Sequence, residues 1–274
     1  MSVAFIVVNK MANELDGYTL LILSKLGAGG FGTVHKVFAY GDCSPLTKLC
    51  AMKIFSPSGG NNQTEIKEIA ALEERFSQEA IIQYQLSQKH PKHIAPIIHL
   101  DLDKNPPAFY MKLAKSNLQV MLDNGMDDSQ KQKAVFDILY AVKIIHDNQY
   151  LHRDIKPANI LYYSDYMFKI SDFGLVKDLD EDRATLQTDI RINQMGSGRY
   201  LDPEVSNDRV RFTIQSDIYS IGQVISDIYN GKSAPAPIKK VIEKCINYFQ
   251  DDRYGSVNEL LDAFRTAINE MGCN

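Results

Sequence analysis

The chain contains no tryptophan, so its core must be built from Tyr, Phe, Leu and Ile. It has four cysteines, Cys43, Cys50, Cys245 and Cys273, and no C-x-x-C pair. Their spacing fits no zinc site. They read as reduced thiols of a cytosolic protein. No apolar stretch approaches the roughly 20 residues of a membrane helix. The apolar start, MSVAFIVVNK, lacks a preceding basic region and a small-residue cleavage site, which argues against a signal peptide. There is no long basic run and the formal net charge is −4, so nothing points to nucleic acid or to an anionic membrane. Internal repeats and low-complexity tracts are absent too. What remains is an ordinary cytoplasmic globular composition, long enough at 274 residues for two lobes without disulfide staples.

The order of elements divides the chain. Residues 18–40 read as two strands joined by a glycine turn, and residues 49–55 as a third strand. Residues 64–88 have helical period, with Leu72, Phe76, Ala80 and Tyr84 at steps of four, and His90-Pro91 ends that helix. Residues 94–100 and 108–113 read as a strand pair, with Asn105-Pro106-Pro107 in the connection. From about 115 the pattern is mostly helical, with helices over 128–148, 214–230 and 256–270. Strands followed by helices predict an α+β fold. It is one domain over 1–274, with a β-rich lobe to about 113 and a helical lobe from about 114.

Several stretches carry chemistry. GAGGFGTV, residues 27–34, fits G-x-G-x-x-G-x-V. Glycines let a backbone approach a phosphate, although a plain flexible hairpin would use them as well. A dinucleotide site needs a helix next, and TVHKVF is strand-like, which disfavours it. On the third strand, Ala51 and Lys53 alternate with Cys50 and Met52. A lysine that must reach phosphates needs an acid to hold it. Glu79 on the following helix suits that task, while Glu73 and Glu74 lie on other helical faces.

HRDIKPAN, residues 152–159, sets one acid among an imidazole, a guanidinium and an ammonium, with an amide five residues on. Asp172-Phe173-Gly174 follows. Magnesium takes oxygen ligands, often one or two carboxylates plus phosphate. Asp172 and Asn159 suit that role, Asp154 can orient a hydroxyl and take its proton, and Lys156 can neutralise a moving phosphoryl group. Each residue alone has a bland reading, His152 as a core histidine, Asp172 as a turn residue and Asn159 as a cap. The ordered set does not.

In this order and spacing the motifs resemble the eukaryotic-type protein kinase family over roughly residues 18–268. Asp202-Pro203-Glu204 resembles its A-P-E, Asp217 its helix-anchoring Asp, and Arg253 the arginine that pairs with the A-P-E glutamate, here Glu204. The resemblance implies a bilobal fold with an ATP cleft between the lobes. Gly27, Gly29 and Gly32 would cover the phosphates, and Val34, Ala51 and Leu161 would sandwich the adenine. Met111 would be the gatekeeper of a hinge whose Lys112 and Ala114 backbone groups bind the adenine edge. Cofactors would be ATP and Mg2+, with Mn2+ as a substitute. Lys156 and Ser197 favour protein Ser/Thr substrates over Tyr. Thr185, Thr188 and Ser197 are candidate phosphosites, where a phosphate could pair with Arg153, reached by autophosphorylation between transiently associated copies.

The chain departs from the family at Asp202 (usually Ala), Lys112 (often Glu) and Tyr219 (usually Trp). The interval from Asp217 to Arg253 is short, trimmed around 231–237 where many members dock substrates. Two other classes compete. A pseudokinase scaffold would be expected to lose Lys53, Asp154 or Asp172. A small-molecule kinase of the aminoglycoside type would lack the D-P-E, Asp217 and Arg253 set. A stand-alone enzyme of bacterial or phage origin fits the compact chain.

Overall fold

The computed structural model describes residues 19–29, 32–40, 49–56, 63–173, 177–178, 198–208 and 210–272. Two compact units emerge, 1–84 with 96–113, and 85–95 with 114–274.

The first unit is a five-stranded antiparallel sheet and most of one helix. Its strands are β1 (Thr19–Gly29), β2 (Gly32–Tyr40), β3 (Leu49–Phe55), β4 (Ile97–Asp101) and β5 (Ala108–Lys112), in spatial order β1-β2-β3-β5-β4. Helix α1 (Gln63–Lys89) follows β3, and His90-Pro91 lies just past its end. β2 is rich in the β-branched and aromatic residues that pack well on a pleated surface, Thr33, Val34, Val37, Phe38 and Tyr40. Leu20, Val37, Ala39, Cys50, Met52, Ala108 and Tyr110 form a core on one face. On the other side Phe55, Phe76 and Phe109 stack in series, with centroids 5.6 and 5.3 Å apart. The register sets Val34 opposite Lys53, and Ala51 opposite Met111. A Cβ at Gly32 would stand 2.3 Å from the Ile54 carbonyl oxygen, so β2 demands glycine there for its own packing.

The second unit is helical with short β pieces. It contains β6 (Ser116–Asn117), α2 (Leu118–Asn124), α3 (Asp128–Asp147), β7 (Tyr150–Leu151), β8 (Ile160–Tyr162), β9 (Phe168–Ile170) and β10 (Lys177–Asp178). Then come α4 (Pro203–Asp208), α5 (Ile214–Tyr229), α6 (Ala236–Cys245) and α7 (Val257–Gly272). Helix α3 opens with a capping box between Asp127 and Gln130, which satisfies two otherwise orphaned backbone donors. Its Val135, Ile138, Leu139, Val142 and Ile145 are all buried, the stripe expected from the period.

The sequence expectation is corrected at two places. The region around 231–241 reads as a trimmed loop, yet α6 begins at Ala236. Pro235 and Pro237 sit at its cap and first turn, where a missing N–H costs nothing. Phe168–Ile170, which reads as strand-like, is β9, whereas β6 to β8 are too short for any period-2 signal. The stretches 41–48 and 57–62 and the acidic residues 179–182 lie outside the described residues.

Helices α5 and α6 touch through a glycine. A Cβ on Gly222 would meet the Cys245 Cβ at 2.4 Å. Gly222→Ala is therefore expected to lower stability by about 1–3 kcal/mol, as overpacking does, read as a lower urea midpoint. Cys50 and Cys245 are buried free thiols, and burial pushes the Cys50 thiol up to about 11.

Candidate active site

In the first unit, β3 delivers Lys53 and α1 delivers Glu79. The Lys53 ammonium donates to Glu79 Oε1 at 2.6 Å, and both residues are buried. The rings of Phe76 and Phe109 flank the ammonium at 5.9 and 5.7 Å. Gln83, one turn beyond Glu79, donates from Nε2 to Met111 Sδ at 3.6 Å. The helix face that holds the lysine thus also contacts the residue expected as gatekeeper. At Gly27 and Gly29 an added Cβ would meet nothing within 4 Å. Among the described residues their side-chain absence answers no packing need.

The second unit builds its site on a loop between β7 and β8. Helix α5 anchors that loop through one buried carboxylate. Asp217 Oδ2 accepts from the His152 backbone N–H at 2.9 Å and from His146 Nε2 at 2.8 Å, and Oδ1 accepts from the Arg153 N–H at 2.8 Å. Arg153 takes φ 67°, a left-handed value that bonded neighbours must hold in place. Its guanidinium lies 4.1 Å from the Phe212 ring centroid. His152 is fully buried, with Nε2 near the Ser171 carbonyl oxygen at 3.2 Å and Nδ1 accepting from the Asp154 N–H at 3.3 Å. Its ring packs edge-on against Phe173, 5.2 Å away.

Asp154 is held on two sides. Asn159 Nδ2 and Lys156 Nζ each approach Asp154 Oδ2 at 2.9 Å. Because Nδ2 faces Asp154, the Asn159 amide turns its oxygen elsewhere. The Asn159 backbone carbonyl in turn accepts from Ser171 N at 2.9 Å and Ser171 Oγ at 3.0 Å, which fixes the residue before Asp172. Asp172 has φ 66°. The Ser171 bonds thus bring the Asp172 backbone beside Asn159. Magnesium bound through one or two protein oxygens and phosphates needs no larger cluster. Among the described residues no group of three or more His, Cys, Asp or Glu could hold a metal ion.

Burial drives the His152 pKa down, and the nearby carboxylates of Asp217, Asp154 and Asp172 offset this only in part. For Asp217 burial acts upward, but the His146 hydrogen bond and charge, His152 and the Arg153 N–H outweigh it and hold the acid below its ordinary value. Both shifts give stability that is present at high pH and lost on acidification. The His152 contribution is full above the unfolded value of 6.5 and declines as the pH falls below it. The Asp217 contribution is full above 3.8 and is lost only below that value. His35 and His93 are also held down by burial and add to the wild-type slope. The slope lost in His152→Phe, between pH 6.5 and 5, isolates His152 and is bounded by about 1.4 kcal/mol per pH unit.

With this geometry in view, the comparisons with known proteins are decisive. The model of the protein kinase domain matches residues 20–250. The chain belongs to the protein kinase family. It is similar to extracellular signal-regulated kinase 2 of Dictyostelium discoideum, 25% identical over 228 residues, covering 81% of this chain and 58% of that protein. It is also similar to a probable serine/threonine-protein kinase PknB of Lactococcus lactis, 25% identical over 238 residues, covering 86% of this chain and 35% of that one. Serine/threonine-protein kinase ppk23 of Schizosaccharomyces pombe is 27% identical over 245 residues, covering 85% of this chain and 56% of that protein. The chain thus spans less than two thirds of the length of these relatives.

One family-based expectation is overturned in this kinase domain. Arg253 does not pair with Glu204. Its Nη1 and Nη2 donate to Asp202 Oδ2 and Oδ1, each at 2.8 Å, and both side chains are fully buried. Asp202 is also the cap of α4, with Oδ1 accepting from the Glu204 N–H at 3.0 Å. The shorter acid at the cap is in place for the fork of the arginine. Glu204 accepts instead from the Gln250 N–H at 2.6 Å. Tyr219, where tryptophan is usual, lies beneath the Arg253 guanidinium at 5.0 Å.

Among the other expected residues, Lys112 pairs opposite Cys50 and donates its N–H to the Pro96 carbonyl at 3.0 Å. Leu161 is on β8 and Ala114 lies between β5 and β6. Thr185, Thr188 and Ser197 lie outside the described residues. His146 was missed by the sequence reading. A histidine in the last turn of an amphipathic helix carries no sign that it will bond an aspartate 71 residues later.

Proposed function

We propose that this chain is an ATP-dependent protein kinase that phosphorylates serine or threonine hydroxyls. The observation that carries the reading is Asp154, a carboxylate fixed by Asn159 and Lys156 at 2.9 Å each, on a loop suspended from Asp217. That is the arrangement of a base whose position, more than its strength, does the work.

Lys53, kept in place by Glu79, neutralises phosphate charge. The Asn159 amide oxygen and the Asp172 carboxylate would hold the divalent cation. Bound Mg-ATP supplies the transferable phosphoryl group and the cation charge that offsets it. Asp154 accepts the proton of the acceptor hydroxyl as its oxygen bonds to the γ-phosphorus, and the bond from that phosphorus to ADP breaks. Lys156, ion-paired with Asp154, sits where it offsets charge on the group in transit. Lys156 is also the feature that favours serine and threonine. No helix among the described residues is long and apolar enough to cross a membrane.

The test incubates the purified chain with labelled Mg-ATP and a generic basic protein, beside a panel of sugars and aminoglycosides. Label on serine or threonine, abolished by Lys53→Met, is the expected result. Label confined to tyrosine overturns the substrate assignment. Label on an aminoglycoside, or none with Mg-ATP still bound, favours the small-molecule or the scaffold reading.

A further inference from the structure

Just before the D-P-E stretch, the short turn Gly198–Tyr200 is fastened to helix α5 at three points. The Ser220 hydroxyl donates to the Tyr200 carbonyl at 2.8 Å, the Tyr200 hydroxyl donates to Asp227 Oδ2 at 2.7 Å, and Arg199 Nη2 is ion-paired with Asp227 Oδ1. The guanidinium also lies over the Tyr200 ring, 5.3 Å from its centroid. Asp227 is mostly covered, and both its oxygens are engaged. Arg199 is different. Its side chain is 54% exposed, so the donors of its planar fork that Asp227 does not take face solvent.

Helix α5 also carries Asp217, which holds the backbone of His152 and Arg153 and so places Asp154. Asp217 and Asp227 are ten residues apart on that one helix, about 15 Å along its axis at 1.5 Å per residue. The same rigid element therefore fixes both the base and Arg199. An extended peptide advances roughly 3.3 Å per residue. At that rate the spacing of the two anchoring carboxylates corresponds to about four or five residues of an extended substrate.

We propose that Arg199 is a specificity-determining residue that selects an acidic side chain a few positions from the phosphorylated serine or threonine. The proposal rests on the kinase reading above and names its substrate class. Asp227 cannot serve the opposite preference. Its oxygens accept from Tyr200 and pair with Arg199, and its side chain is only 17% exposed, so a substrate lysine or arginine meets the guanidinium before the carboxylate. An exposed guanidinium with donors to spare accepts a substrate carboxylate in the bidentate manner that suits it. Its exposure to water bounds the selectivity to roughly 1.5- to 5-fold, the scale of a solvent-exposed ion pair.

The experiment is a positional scanning peptide library around a fixed serine or threonine, with aspartate, lysine and alanine compared at each of about five positions on either side. It is run with the wild type, Arg199→Gln and Arg199→Glu. The expected result is a wild-type preference for aspartate over lysine at one or two positions, erased in Arg199→Gln and turned toward lysine in Arg199→Glu. The ratios are internal to each variant, so a general loss of activity does not imitate the effect. A wild-type preference for lysine, or an aspartate preference that survives in both variants, overturns the proposal and leaves the kinase reading intact. Absence of transfer to every peptide overturns both.

Discussion

Asp154→Asn lowers turnover by about 10²- to 10⁴-fold, the range a positioned general base contributes. The substitution is nearly isosteric. Asn159 Nδ2 and Lys156 Nζ both address Asp154 Oδ2, and an amide oxygen at that place can accept from each. Geometry is thereby preserved and basicity removed. The loss falls on kcat, with KM for ATP little changed, because Asp154 contributes to the step and not to nucleotide binding. Steady-state kinetics with saturating protein substrate check this, and circular dichroism confirms the fold. A rise in KM at constant kcat would contradict the assignment. Lys53→Met, by contrast, acts on phosphate charge and weakens nucleotide binding as well.

Asp202→Ala destabilises the kinase domain by about 3–5 kcal/mol, the cost of leaving one member of a buried ion pair behind. Arg253 uses all its donors. Besides the two bonds to Asp202, Nε donates to the Asn247 carbonyl at 2.8 Å, Nη1 to the Gln215 carbonyl at 3.0 Å and Nη2 to the Tyr248 carbonyl at 2.7 Å. The arginine therefore binds the approach to α4, the start of α5 and the loop after α6 into one body. Without Asp202 its charge is buried among carbonyls with no counterion, and α4 loses its cap. Glu204→Gln costs about 1 kcal/mol, since an amide oxygen still accepts the Gln250 N–H. Urea denaturation orders the two variants. A larger loss in Glu204→Gln than in Asp202→Ala would restore the pairing expected from the family. The double variant Asp202→Ala/Arg253→Met recovers much of the single-variant loss, because it removes the uncompensated charge together with its partner.

The sequence and the structure agree where chemistry constrains residues locally. The Lys53–Glu79 pair was legible because a lysine on a strand that must be held in place needs an acid on the neighbouring helix. The long helices α1, α3, α5 and α7 were legible because each offers several turns of buried stripe. Agreement fails where a choice depends on three-dimensional competition. Asp202 and Glu204 are two acids two residues apart, and only the cap geometry of α4 decides which one reaches Arg253. Pro237 breaks a helix in its middle and suits one in its first turn, so the sign of its evidence for α6 depends on a boundary that sequence alone does not supply. His146 and Tyr200 work through partners 71 and 27 residues away, beyond any local pattern.

The measurement that bears most directly on phosphoryl transfer through Asp154 is intact mass with peptide mapping after incubation with Mg-ATP, wild type beside Asp154→Asn. Whole-phosphate mass gains on serine or threonine in the wild type, absent or greatly slowed in Asp154→Asn, are the predicted result. Equal phosphate gain in both would show that the transfer does not pass through Asp154, and would contradict the account.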